Sequence, residues 1–217
     1  MGEADWKAFH AASGLEDWRV TFSGPGAWFR TASLAEGVAL ISAIAALDGV
    51  SEHPPSIDLR ADGVGVRLTR DLSEIAAHHV ELARSISVVA RDLGIESGPA
   101  RVQHVQVAVA SPVVAEVIPF WEAVLGYEKL GDEDLLDPHG RGPSFWFQQL
   151  DPDRPLRHAM HIDVAVPRDQ GEARIAAALA AGGRIADDSH APEWWTLADP
   201  VGNKVDIAIW PDQPGAA

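Results

Sequence analysis

The chain has 217 residues, a formal net charge of −15, 47% apolar and 23% charged side chains, and no cysteine. That length suits two domains of about 100 residues each. The composition excludes disulfides and thiolate metal ligands, and the lack of any basic cluster argues against nucleic acid or an anionic membrane as partner.

The opening MGEADWKAFH has no apolar core, and no apolar run reaches membrane-spanning length, so a cytoplasmic address is expected. Ala32–Leu47 (ASLAEGVALISAIAAL) is rich in Ala and Leu and free of Pro, which predicts a buried helix ended by Asp48 and Gly49. Ser56–Leu59 and Val64–Thr69 read as two strands about a turn at Ala61-Asp62-Gly63. Leu72–Leu93 carries a second long helical pattern, stopped by Gly94. Glu96-Ser97-Gly98-Pro99 has the composition of a linker, so domains of residues 1–97 and 100–212 are expected.

The second half repeats itself. HVQVAV at His104–Val109 is matched by HIDVAV at His161–Val166, an offset of 57. A helical stretch follows each copy, Val114–Leu125 and Gly171–Ala181, closed by Gly126 and Gly183. Each copy then has a turn, DPHG at Asp137–Gly140 and DPVG at Asp199–Gly202, and a strand, Ser144–Gln149 and Lys204–Trp210. Two copies of a unit this size suggest two modules sharing a sheet, since a solenoid needs three or more.

Strand alternation sorts the side chains into faces. Val105, Val107 and Val109 share one face of the first strand, and Ile162, Val164 and Val166 share one face of its repeat. Val205, Ile207 and Ile209 do the same in the last strand. The opposite faces carry His104, Gln106 and Ala108; His161, Asp163 and Ala165; and Lys204, Asp206 and Ala208. Two imidazoles and a carboxylate suit a divalent metal with open positions, so His104, His161 and Asp206 are the candidate ligands. Phe145 and Phe147 read as core, which leaves Trp146 and Gln148 on the polar face, Gln148 as a weak fourth ligand. One of Trp194 and Trp195 is expected to stack on a substrate and the other to face the core or a partner. His139, His158 and His190 read as solvated loop residues.

Val102 to Trp210 resembles the glyoxalase/bleomycin-resistance/extradiol-dioxygenase family, the vicinal oxygen chelate superfamily. The resembling segments are HVQVAV, FWEAVLGYE, DPHGRGPSFWFQQL, MHIDVAVP, AALAAGGRI and WWTLADPVGNKVDIAIW. The resemblance implies a pair of βαβββ modules. It also implies ligands from the first strand of each module and a carboxylate after the DPxGN turn, at His104, His161 and Asp206. Asp206 stands where the longer Glu is usual. Fe, Mn, Ni or Zn would serve, but members without metal exist, and a cavity whose histidines only hydrogen-bond is equally implied.

Trp18 to Ile95 resembles pterin-4a-carbinolamine dehydratase in the entry WRVTFSGPGAWF, a long helix, the central segment and a final helix. The family pattern is an acid, three spacers, His-His-Pro, an aromatic and a further His. Here Asp48 holds the acidic place, Glu52 replaces the first His, and His53 and Pro54 match. Arg60 replaces the aromatic, Arg70 the last His, and His79 the acid of the final helix. The implied catalytic set is thus His53, Glu52, Arg70 and Asp48. Carbinolamine dehydration needs proton transfer near neutral pH, and Arg70 stays charged, so a largely inactive dehydratase-like domain is expected. His78 and His79 are adjacent on a helix and do not face one another, which argues against a metal there.

The expected class is α+β: a dehydratase-like sheet with two long helices, then the paired βαβββ modules. Three functions stay open. One is a metal-using enzyme of lyase, isomerase or dioxygenase type on a small organic molecule. The second is a metal-free protein that binds and sequesters one. The third is a residual pterin dehydratase. A homodimer is expected.

Overall fold

The computed structural model describes residues 3–150, 160–198 and 204–209. Among the described residues, 3–103 with 167–169 make one compact unit, and those within 104–166 and 170–209 make another. Glu96-Ser97-Gly98, of linker composition, belongs to the first unit: Ser97 bridges Phe29, and Gly98 N–H donates to Trp28 O at 2.7 Å.

The first unit runs α1 (Glu3–Ala11), β1 (Trp18–Thr21), β2 (Gly24–Arg30), α2 (Leu34–Ala45), β3 (Ser56–Arg60), β4 (Gly63–Arg67) and α3 (Ala77–Asp92). Helix α1 is an element the sequence reading did not anticipate, so the unit has three helices and not two. Its strands form an antiparallel sheet in the order β1-β2-β4-β3. The alternation puts Trp18, Val20, Ala27, Phe29, Val64 and Val66 on one face, where Phe9, Leu40, Ile44, Leu82 and Ile86 of the three helices close one core. Ser33 caps α2 by accepting from the Glu36 N–H at 3.2 Å.

The expected helix over Leu72–Leu93 is interrupted. Asp71 accepts from the Ser73 N–H at 2.7 Å and caps a single 3-10 turn, Leu72–Glu74. The chain then extends through Ile75 and Ala76 before α3 starts.

The second unit is β5 (His104–Ser111), α4 (Val114–Leu125), β6 (Glu128–Leu130), β7 (Asp134–Leu136) and β8 (Ser144–Gln149). It repeats as β9 (Met160–Val166), α5 (Arg168–Ala180), β10 (Arg184–Asp187), β11 (Trp194–Ala198) and β12 (Lys204–Ile209). All eight strands make one sheet, β10-β11-β12-β9-β5-β8-β7-β6. Each module pairs its first and last strands in parallel, and β5 meets β9 antiparallel at the seam. The aliphatic face is covered in two places. Val109, Leu135, Phe145 and Phe147 pack with Ile118 of α4, and Val166, Leu197, Ile207 and Ile209 pack with Ile175 of α5. Gly126 ends α4 in the left-handed conformation at φ 66°.

Candidate functional site

The polar face of the second unit is built by strand register. Asp206 lies opposite Asp163, Asp163 opposite Gln106, and Gln106 opposite Ser144, so one row crosses four strands. His161 lies two residues from Asp163 on the same face, since side chains alternate along a strand. His161 Nε2 is 3.1 Å from Asp163 Oδ1 and 3.4 Å from Asp206 Oδ2. The three donor atoms all lie within 4.8 Å of one another.

Two carboxylates directly opposite one another in a sheet repel. Here Asp163 is only 5% exposed. Asp163 Oδ1 and Asp206 Oδ1 are both buried, with no hydrogen bond among the described residues. The His161 contact with Asp163 Oδ1 is therefore a close approach of charges and not an aligned hydrogen bond. Burial raises the Asp163 carboxyl above its ordinary value, nearby Asp206 adds to this, and His161 opposes both. The contact with Asp163, then that with Asp206, raises His161 to about 9 against the effect of burial.

This donor set fits a divalent cation. One imidazole and two carboxylates offer nitrogen and oxygen ligands, and the 3.1 and 3.4 Å spacings match neighbouring ligands around one ion. Asp206 Oδ1, buried and without a hydrogen bond among the described residues, is an atom such an ion would satisfy.

Of the ligands expected from sequence, His161 and Asp206 come together, and Asp163 joins them. His104 lies elsewhere on the same face: it is opposite Ala165, while His161 is opposite Ala108, four residues along β5. That offset is about 13 Å along a strand. His104 Nε2 is instead 2.9 Å from Ser144 Oγ. Trp146 sits opposite Ala108 and Gln148 opposite Ala110, both half-buried on the polar face. Trp194 is opposite Ala208 on that face and stacks on the His190 ring at 4.1 Å, while Trp195 packs into the core under α5. His139 is exposed in its turn, where its N–H donates to Asp137 Oδ1 at 2.8 Å. His158, Trp210 and the Asp199–Gly202 turn lie outside the described residues.

In the first unit His53 is exposed, and its ring stacks on that of His78 with centroids 3.7 Å apart. His78 lies 4.0 Å from the ring of buried His79. His79 Nδ1 accepts from the Ala76 N–H at 3.0 Å, so its proton is on Nε2. Burial, then the neighbouring His78 and His53, lowers His79 to about 4. Burial and His53 also lower His78. Arg70 pairs with Glu74 at 2.6 Å. Burial acts to raise Glu74, but the Arg70 guanidinium and backbone N–H hold it below its ordinary value. Asp48 and Glu52 are exposed. Sequence reasoning placed His79 at the acidic position of the final helix but did not foresee its gathering with His53. The break at Ile75-Ala76 precedes the start of α3, and the sequence carried no signal for the gathering.

The family model for the glyoxalase-like domain matches residues 106–208, so this part of the chain is similar to a glyoxalase-like domain. No curated protein matches the chain. Among solved structures, an NAD-dependent benzaldehyde dehydrogenase from Legionella pneumophila is 12% identical, with a TM-score of 0.38, over 49% of this chain and 99% of that one. A glyoxalase/bleomycin resistance protein/dioxygenase superfamily member from Vibrio splendidus 12B01 is 16% identical, with a TM-score of 0.31, over 50% of this chain and 100% of that one.

Proposed function

We propose that the glyoxalase-like domain is an enzyme acting on a small organic molecule with a divalent cation held by His161, Asp163 and Asp206. The observation that carries this reading is the pair of buried, facing carboxylates whose inner oxygens have no hydrogen bond among the described residues. Bound there, the ion would supply Lewis acidity towards substrate oxygens. Of Fe, Mn, Ni and Zn, a set of one imidazole and two carboxylates favours Mn and Fe over the softer ions.

The test is elemental analysis of untagged protein after dialysis against each metal in turn. One Mn or Fe per chain is expected, and Asp163→Asn should weaken binding by roughly 100-fold, the scale of losing one donor from a small site. Unchanged binding in Asp163→Asn would falsify the assignment. A second reading is a metal-free binder, favoured by His161 itself: an imidazolium with its pKa near 9 already offsets part of the carboxylate charge. Small-molecule binding with no metal uptake under any condition would select it.

The dehydratase-like reading of the first unit belongs to the same proposal. Three helices on one face of a four-stranded antiparallel sheet support it. The Arg70–Glu74 pair supports a loss of ordinary dehydratase chemistry, because a paired guanidinium neither takes nor gives a proton. A homodimer is proposed with it, supported by α2, which carries no charge from Gly37 to Ala45 and leaves Leu34 and Val38 more than half exposed. No helix among the described residues is long and apolar enough to cross a membrane.

A further inference from the structure

Three imidazoles from two separate stretches of chain meet in the first unit. His53 lies in the loop of residues 46–55 between α2 and β3, and His78 and His79 lie in the first turn of α3. The His53 and His78 rings stack with centroids 3.7 Å apart and planes 18° apart. The His79 ring is 4.0 Å from that of His78 and 6.1 Å from that of His53. His53 and His78 are exposed, so protons reach both rings from solvent, while His79 is buried.

The loop is otherwise lightly held. Its backbone hydrogen bonds among the described residues are local: Leu47 N–H donates to Ile44 O at 3.0 Å, Val50 N–H to Leu47 O at 3.4 Å and His53 N–H to Gly49 O at 3.0 Å. Leu47 and Val50 pack against the core, but Ser51 to Pro54 are all exposed. The histidine stack is thus what joins this exposed stretch to α3.

Neutral rings gain by stacking, but two imidazolium rings at that spacing repel. Opposite charge that could offset the repulsion is already engaged. Glu74, in the turn before α3, favours a proton on His79, yet it pairs with Arg70 at 2.6 Å and also acts on half-buried Arg67. Glu81 on α3 pairs with Arg84 at 2.6 Å. Asp48 and Glu52 are exposed on the loop itself and travel with it, and α2 carries no charge from Gly37 to Ala45. Burial first, and then the neighbouring histidines, disfavour the charged forms of His78 and His79. An open loop, with its rings apart in water, therefore binds protons more readily than the closed one, and falling pH favours it.

We propose that the stack is an acid-released latch: with both rings neutral it holds residues 51–54 against the start of α3, and protonation parts the rings and frees this stretch while the core of the unit stays folded. The exposed pair responds first. Buried His79, held near 4 and accepting the Ala76 N–H at 3.0 Å, keeps the start of α3 in place until the pH is lower still.

The chain has no cysteine, so the full protein can carry nitroxides at Ser51→Cys and Val88→Cys, both exposed, for distance measurement by double electron–electron resonance. At pH 7.5 one narrow distance is expected. At pH 5.5, about one unit below the ordinary imidazole value, a second and broader component should hold roughly half of the distribution or more. His53→Gln and His78→Gln, each made in the labelled protein, should give the same distribution at both pH values, since neither leaves two chargeable rings in the stack. Both side chains are exposed, so neither change threatens the core. A distribution that does not change with pH in the labelled protein would overturn the proposal. So would a pH response kept in full by both variants. Far-ultraviolet circular dichroism that falls at pH 5.5 together with the loop would overturn it too, because the change would then be unfolding and not release.

Discussion

Asp163 shows how much of the site lay open in single residues. Its place on the polar face, two positions after His161, follows from strand alternation alone. What the sequence does not contain is the cross-strand register that sets Asp163 against Asp206 and moves His104 four residues away from His161 along β5. Register is fixed by packing of the opposite face and by loop lengths, so a ligand set drawn from two strands has to be seen and not read. His79 yields a prediction at the same scale. It is neutral in the fold, with a pKa near 4, and accepts the Ala76 N–H. In the unfolded chain it titrates near 6.5. The unfolded state therefore binds the extra proton first as pH falls. The His79 contribution is complete above about pH 6.5 and is lost as pH falls towards 4. Urea unfolding at pH 7.5 and pH 5 should show a loss in native protein that is smaller in His79→Gln by on the order of 1 kcal/mol, discounted for partial screening. Equal losses in both proteins would remove His79 as the cause.

At the scale of elements, the two periodicities carried most of the fold. Helix α4 and strand β8 match the expected Val114–Leu125 and Ser144–Gln149, because an apolar helical face and an alternating aromatic strand leave little choice. The break before α3 was not legible, since the cap that stops the 3-10 turn is Asp71 and the cap that restarts the helix is a histidine ring accepting a backbone N–H. On the first sheet's other face, a Cβ on Gly63 would lie 2.4 Å from the Trp28 ring and 2.6 Å from Phe29 O. The carbonyl is backbone and cannot move aside. Gly63→Ala is expected to destabilise the first unit by about 2–3 kcal/mol, read as a lower midpoint in thermal unfolding. An unchanged midpoint would show that the hairpin gives way there without strain.

The whole molecule has two hydrophobic economies. The core of the first unit is built from residues between Trp6 and Ile95, and the two clusters of the second unit lie between Val107 and Ile209. Residues 1–103 are therefore expected to unfold cooperatively as an isolated fragment in a circular dichroism melt; a broad, uncooperative transition would mean that its core depends on the rest of the chain. The duplication in the second half was visible as repeated sequence.

The seam between the modules also governs rates. In the first unit β1 turns directly into β2 and β3 into β4, so pairing begins between near neighbours. In the second, β5 must find β8 and β9, and β9 must find β12, each across a helix and further strands. Closing such distant pairs before contacts compensate is slow. Refolding should thus proceed in a fast phase and a slow phase, with only the fast phase in the 1–103 fragment. Because Asp163 and Asp206 meet only when β9 and β12 pair, the capacity to take up Mn²⁺ should return with the slow phase, last of all.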